Sequence, residues 1–287
     1  MFLEKICIKK FRNIDEANLE LNQKTNVIIG ENAAGKTSFL EAIDVLSRGR
    51  SFRTNKTENL IKDGENQLYV GAYEGTNKKK LEIEKAKKKT KILINNKEEA
   101  KQSKLAEELA IQSIHPNSHG LVEGAPSERR SFMDWGLFHV EQNFKNEWSA
   151  YTRLLKQRNE ALKIKDSEES VWKEKLAPIG ENITKLRQNY IDDLKEHLIY
   201  TQQEIMPDVE LEFYYDKGWP GKNSFIEALN ERVKLDTERG YTSCGPQNAD
   251  LKIVLNKKDA QKVCSRGQQK LIANIMLLSQ SKDFLIK

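Results

Sequence analysis

Val27-Ile28-Ile29-Gly30-Glu31-Asn32-Ala33-Ala34-Gly35-Lys36-Thr37 is the stretch from which the rest of the chain can be organised. An apolar triplet leads into G-x-x-x-x-G-K-T, and Phe39, Ala42, Ile43 and Leu46 then recur on one helical face. Strand, glycine loop and helix is the order that phosphate binding needs. The glycines let successive backbone N–H groups converge on phosphate oxygens, and the helix start adds its positive dipole end. The pattern predicts a buried strand over 27–29 and a helix from Lys36 that ends at Ser47-Arg48-Gly49-Arg50, with a glycine exit and terminal cations. The candidate binding residues are Gly30, Glu31, Asn32, Ala33, Ala34, Gly35, Lys36, Thr37 and Ser38. Lys36 is expected to reach the β and γ phosphates of a nucleoside triphosphate. The Thr37 hydroxyl is expected to complete the oxygen shell of Mg2+, an ion that keeps most of its waters.

Outward from this loop, Phe2, Ile6 and Ile8 alternate with polar residues, as do Leu19 and Leu21, and the stretch from Gln67 to Asn96 alternates again. These read as antiparallel strands and hairpins. From Val140 the period becomes helical, through Phe144, Trp148, Tyr151 and Leu155, up to a charged break over 163–170. A second stripe runs from Trp172 to Leu198, with Pro178 expected to bend or start it. Val209 to Tyr215 and Leu251 to Leu255 alternate as strands, Phe225, Leu229 and Val233 mark a shorter helix, and Leu271, Ile275 and Leu278 mark the stripe of a last helix. The β-rich beginning and end suggest one domain interrupted by a helical insertion.

The 48 Lys+Arg against 43 Asp+Glu give +5, which permits an anionic polymer partner without requiring one. Lys78 to Lys80 with Lys85, Lys87, Lys88, Lys89 and Lys91 flank a predicted hairpin and are either a phosphate-contacting patch or a solvated face, since Glu82 and Glu84 interleave with them. Cys7, Cys244 and Cys264 are scattered, which argues against a disulfide framework or a zinc site and for a reducing cytoplasm. No apolar run approaches a membrane span and none resembles a signal-peptide core, so a soluble cytoplasmic protein without a membrane partner is expected.

Ser265-Arg266-Gly267-Gln268-Gln269 places a hydroxyl, a cation and a glycine at a helix start. Two readings stay open: a second anion site, or an ordinary N-cap ahead of a core helix. Five blocks taken in order, GENAAGKTSFLEAIDVLSRGRSFR (30–53), GAPSERRSFMDWGLFHVE (124–141), LLKQRNEAL (154–162), GYTSCGPQNADLKI (240–253) and SRGQQKL (265–271), closely resemble the RecF family of ABC-type, SMC-related ATPases. The resemblance covers nearly the whole chain.

It implies an α/β fold, an ABC-type P-loop ATPase head made of 1–125 and 240–287, with an inserted, mostly helical second lobe over 126–239. It also implies an ATP-dependent homodimer that binds duplex DNA next to single-stranded gaps and works with RecO and RecR to load recombinase. In such heads the loop of one subunit faces the signature serine of the other, here Ser265 with Gly267 and Gln268 beside it. Arg12 and Asn13 match a position near the nucleotide, and Arg50 or Arg53 either add cationic contacts or form surface pairs. Gln112 falls where relatives bridge magnesium and the attacking water, so that Lys36 and Gln112 are the candidate catalytic residues and Thr37 and Gln112 the candidate metal ligands. Arg129, Arg130, Asp134 and Trp135 are expected to brace the joint between lobes through an internal ion network.

The chain departs from the family pattern in several places. Ala33 and Ala34 stand where glycine and serine are usual, which is tolerable if their φ angles are negative. Cys264 replaces a leucine, and Gln247 a histidine. The family also requires an apolar strand, an aspartate and a further acid after the signature helix, whereas Asp283 precedes Phe284-Leu285-Ile286 and the sequence closes at Lys287. The C-terminal core strands are therefore expected to be missing. The alternatives are a non-hydrolysing, ATP-gated DNA-binding or scaffold protein and, more distantly, an SMC-related ATPase of another pathway.

Overall fold

The structure is a computed structural model that describes residues 2–166, 169–221 and 223–286; Ser167 and Glu168, inside the predicted break between the two helices, and Lys287 lie outside the described residues. The chain divides into two compact units, 1–113 and 114–287.

In the first unit, β1 (Leu3–Phe11), β2 (Ile14–Glu20), β3 (Gln67–Glu74), β4 (Lys79–Ala86), β5 (Lys89–Ile94) and β6 (Lys97–Glu98) form one sheet in the order β2-β1-β3-β4-β5-β6, with every pairing antiparallel. Alternation sets its two faces. Ile8 lies opposite Val70, Val70 opposite Ile83 and Ile83 opposite Ile92, a row of β-branched side chains across four strands, and all four are buried. Against this row packs α1 (Lys36–Arg48) with Phe39, Ala42, Val45 and Leu46 buried. The helix ends as its sequence predicts, with Gly49 left-handed at φ 64° and Arg48 in the last turn. Gln102 occupies the space that a Cβ at position 49 would need.

Two expectations fail in this unit. Val27, Ile28 and Ile29 form no strand and stand 76%, 37% and 88% exposed. An apolar run becomes a strand only beside an edge that accepts its N–H and C=O groups, and among the described residues no strand pairs with it. Lys85 is not part of a surface patch. It points inward and is buried, and its Nζ donates to the Gly49 carbonyl at 2.6 Å, closing the C-terminal end of α1. Burial pushes its pKa down. Lys79 pairs with Glu108 and the exposed Lys80 with Glu82, and Lys78, Lys87, Lys88 and Lys89 are exposed as well.

The second unit holds α2's successors: α2 (Ser103–Glu108) belongs to the first, and α3 (Gly120–Glu123), α4 (Pro126–Val140), α5 (Phe144–Lys163), α6 (Glu169–Ile205), α7 (Phe225–Arg239), α8 (Ala260–Val263) and α9 (Arg266–Ile286) to the second. They surround a small antiparallel sheet of β7 (Leu211–Asp216), β8 (Asp250–Leu255) and β9 (Lys258–Asp259). Helices in this unit begin with the short α3 at Gly120 and continue with α4 from Pro126, where the helical lobe was read to start, and the stripe read from Val140 spans a break between α4 and α5. Pro178 lies inside α6 on its exposed side and does not start the helix.

In α9 the apolar stripe falls on another face than its hydropathy suggests. Leu271 and Leu278 are exposed, while Ile272, Ile275, Met276, Ser279, Gln280 and Asp283 are buried. The buried polar groups have partners from α4 and α6: Gln280 Nε2 donates to the Phe132 carbonyl and to Tyr190 Oη, both at 2.9 Å, and Ser279 Oγ donates to the His197 carbonyl at 3.0 Å. Gly136 makes room for the same tyrosine, since a Cβ there would lie 2.0 Å from its hydroxyl.

The predicted ion network is present within this unit. Arg129 forks onto Asp250 at 2.7 and 3.1 Å, Arg130 reaches the Ala249 carbonyl at 2.8 Å, and Asp134 accepts the Arg187 fork at 2.9 and 3.0 Å. β8 and α9 thus share their core with the helices. Side-chain packing groups 240–287 with 126–239, whereas the lobe division read from the sequence follows the order of motifs.

Candidate functional site

A cleft of about 530 Å³ opens at the start of α1, lined by Arg12, Asn13, Arg53 and residues 32–38. Its shape follows from the glycines. Gly35 adopts φ 94°, ψ 4° as the residue before the helix and offers no side chain, so α1 begins without a side-chain cap. Gly30 lets the loop double back so closely that a Cβ there would sit 3.3 Å from the Ala34 Cβ. Ala33, whose tolerance depended on a negative φ, instead has φ 66°, a left-handed conformation that costs an L side chain about 1–2 kcal/mol. Asn13 holds it there. Its Nδ2 donates to the Ala33 carbonyl at 2.7 Å while its Oδ1 accepts from Ser38 Oγ at 2.8 Å, tying the β1–β2 turn to both loop and helix.

Lys36 Nζ donates to the carbonyls of Gly30 and Glu31 at 2.7 and 2.6 Å, which keeps the ammonium beneath the loop. Thr37 is exposed. Arg12 and Arg53 bring two guanidiniums to the same cleft, so that three cations face it. Arg12 does not stand free: its Nε and Nη2 donate to the two carboxylate oxygens of Glu41 at 2.5 and 2.7 Å. Glu41, wholly buried on α1, is the residue that the sequence reading missed. Its only signal is an acid lodged in the apolar run Leu40-Glu41-Ala42-Ile43. Arg50 is exposed and does not line the cleft.

Gln112 does not line the cleft either. Its neighbours are fastened along α1: Ser113 Oγ donates to Asp44 Oδ1 at 2.8 Å, and Arg48 Nη2 donates to the Ile111 carbonyl at 3.2 Å. Asp44 lies seven residues after Thr37, about 10 Å along the helix axis. Gln112 Oε1 is buried with no hydrogen-bond partner, an acceptor free to take a donor or a metal-bound water. No group of three or more His, Cys, Asp or Glu among the described residues could hold a metal, so a cation here would depend on neutral protein oxygens, water and the phosphates themselves.

Ser265 caps α9. Gln268 N–H donates to its Oγ at 3.3 Å and its own N–H donates to Gln268 Oε1 at 2.9 Å, a reciprocal capping box. The hydroxyl is nonetheless exposed. Gly267 has no structural need within the chain to be glycine, because a Cβ there would meet only Ser265 Oγ at 3.9 Å. Cys264 is half-buried, and burial raises its thiol pKa. Gln247, in place of histidine, accepts from Tyr151 Oη and donates to the Cys244 carbonyl at 2.9 Å, filling both roles an imidazole could take. No helix among the described residues is long and apolar enough to cross a membrane.

Comparison with known proteins places this geometry. Residues 2–284 match the RecF/RecN/SMC N terminal domain. The DNA replication and repair protein RecF of Vibrio parahaemolyticus is 36% identical, over 98% of this chain and 80% of that protein; RecF of Hydrogenovibrio crunogenus is 37% identical, over 96% and 78%. Among solved structures, the recombination mediator protein RecF with ATP superposes with a TM-score of 0.88 at 28% identity, over 98% of this chain and 80% of that one. The Pyrococcus furiosus Smc head domain superposes with a TM-score of 0.58 at 14% identity, over 98% and 79%, and shares the fold. The chain belongs to the RecF family, within the RecF/RecN/SMC group of ATPase heads, and has their mixed α/β fold.

Proposed function

We propose that this chain is an ATP-binding, DNA-binding protein of recombinational and replication-fork repair. The observation that carries the reading is the uncapped start of α1, where Gly35, Lys36 and two arginines converge on one cleft. A relative of the same fold is described with ATP. The loop from Gly30 to Ser38 wraps the triphosphate with its N–H groups. Lys36 exchanges the carbonyls of Gly30 and Glu31 for phosphate oxygens, trading two neutral acceptors for anionic ones. Thr37 Oγ1 is the group that would hold Mg2+, whose charge offsets that of the phosphates, while Gln112, which does not line the cleft, would join it only after moving toward the loop.

The proposal extends to assembly. Two copies share two nucleotides, with Ser265, Gly267 and Gln268 of one presented to the loop of the other; the missing side chain at 267 gives a second backbone room to approach. In functional terms 1–125 with 240–287 then act as the ATPase lobe and 126–239 as the helical lobe. The partners are duplex DNA beside a single-stranded gap, with RecO and RecR in loading recombinase, in the cytoplasm. Support for DNA comes from Lys87, Lys88 and Lys89, all exposed at the β4–β5 turn. Binding of a gapped duplex should need ATP and weaken with salt. Replacing the three lysines by alanine should reduce the slope of log affinity against log salt by up to about 3. An unchanged slope would remove the hairpin from the DNA contact, and ATP-independent binding would remove the gating.

A further inference from the structure

We propose that Glu41 is a positioning residue of the triphosphate cleft: its buried carboxylate clamps the Arg12 fork so that this guanidinium presents its remaining N–H groups to phosphate oxygens. The inference rests on the ATP-binding reading above.

Glu41 is held from three segments. Arg12, in the β1–β2 turn, pairs through Nε and Nη2 at 2.5 and 2.7 Å; Ser51 Oγ donates to Oε1; Arg53 Nη1 lies 3.3 Å from Oε2. Ser51 Oγ in turn accepts the N–H groups of Arg53 at 2.8 Å and Thr54 at 3.2 Å, so the loop after α1 hangs on the same carboxylate. A guanidinium carries five N–H donors in one plane. Side-on pairing through Nε and Nη2 consumes two of them and directs the Nη1 edge away from the carboxylate. Arg12 and Arg53 both line the cleft beside Lys36. One buried anion against two guanidiniums leaves an excess positive charge, and the Lys36 ammonium adds to it, which suits a polyphosphate rather than a neutral ligand. Arg12 sits at φ 51° in the two-residue β1–β2 turn, where a left-handed residue is expected, and the turn fixes where its side chain starts.

Because the clamp orients Arg12 and does not itself touch the nucleotide, its loss should appear only through Arg12. The full chain would be titrated with Mg-ATP as parent, Glu41→Gln, Arg12→Ala and the double variant, with thermal melting of each. Glu41→Gln keeps the shape but loses the charge that fixes the fork, and should weaken ATP binding about ten-fold. Arg12→Ala should lose a similar factor, and the double variant should bind no more weakly than Arg12→Ala alone. Arg12→Lys, which leaves Glu41 in place and keeps the charge without the fork, should bind as weakly as Arg12→Ala. Unchanged affinity in Glu41→Gln, losses that multiply in the double variant, or parent-like binding by Arg12→Lys would each overturn the clamp. A folded parent that binds no ATP would overturn the ATP-binding reading and the clamp with it, and that outcome is seen before any variant is made.

Discussion

At α1 the residue before the helix is Gly35, left-handed and without a side chain; at α9 it is Ser265, whose hydroxyl and N–H close a box with Gln268. The two starts differ in where their orphan N–H groups find partners. α9 meets the N–H of Gln268 in its first turn with its own Ser265 hydroxyl. α1 leaves its first turn to an outside anion and surrounds it with Lys36, Arg12 and Arg53. A glycine-rich helix start is therefore a ligand site here because it gives up a cap. A serine-capped start can take part in binding only by adding a donor at its rim, or by exchanging an internal bond for an external one.

The largest expected break of this contrast is Lys36→Ala, which removes the one ammonium bound under the loop. Mg-ATP affinity should fall by about 100-fold, on the order of 3 kcal/mol, with the melting temperature little changed. Equilibrium titration of the folded variant checks it, and parent-like affinity would mean that the cleft is not a triphosphate site. Ser265 should behave in the opposite way. Ser265→Arg should leave ATP binding by the single chain intact and abolish ATP-dependent dimerisation in sedimentation, while Ser265→Ala should cost about 1 kcal/mol of stability in urea unfolding through its lost cap. A Ser265→Arg chain that dimerises with ATP as the parent does would reduce Ser265 to its capping role. The smallest effect is Ala33→Gly. Relief of the left-handed alanine, offset by the greater freedom of glycine in the unfolded chain, should raise stability by at most about 1 kcal/mol and leave ATP affinity unchanged or slightly improved. A loss of stability would show that the greater freedom of glycine in the unfolded chain outweighs the strain relieved at position 33.

Much of this organisation was legible in the sequence because it rests on local periodicity. The alternation of Ile6 and Ile8, the hairpins over 67–96 and the stripe of α6 all depend on residues close in the chain. What could not be read depends on partners far away in sequence. Val27 to Ile29 have strand composition but no neighbouring edge to pair with among the described residues. Lys85 belongs to a lysine-rich run, yet a carbonyl at the end of α1 draws it inward. Leu271 and Leu278 are apolar, but Ser279 and Gln280 take the buried face because α4 and α6 offer them hydrogen bonds. In the site, the loop residues were legible from spacing alone. Glu41 was not, since nothing in its immediate neighbours announces that Arg12, 29 positions earlier, will meet it.

The central claim is that α1, and not α9, is the helix start that receives the nucleotide within a single chain. Backbone amide resonances of the protein titrated with Mg-ATP, at concentrations too low for dimerisation, test it most directly. The account predicts that the amides of Gly35, Lys36 and Thr37 shift and saturate together while those of Ser265, Gly267 and Gln268 stay in place. Shifts at Ser265 to Gln268 with the loop amides unmoved would contradict it.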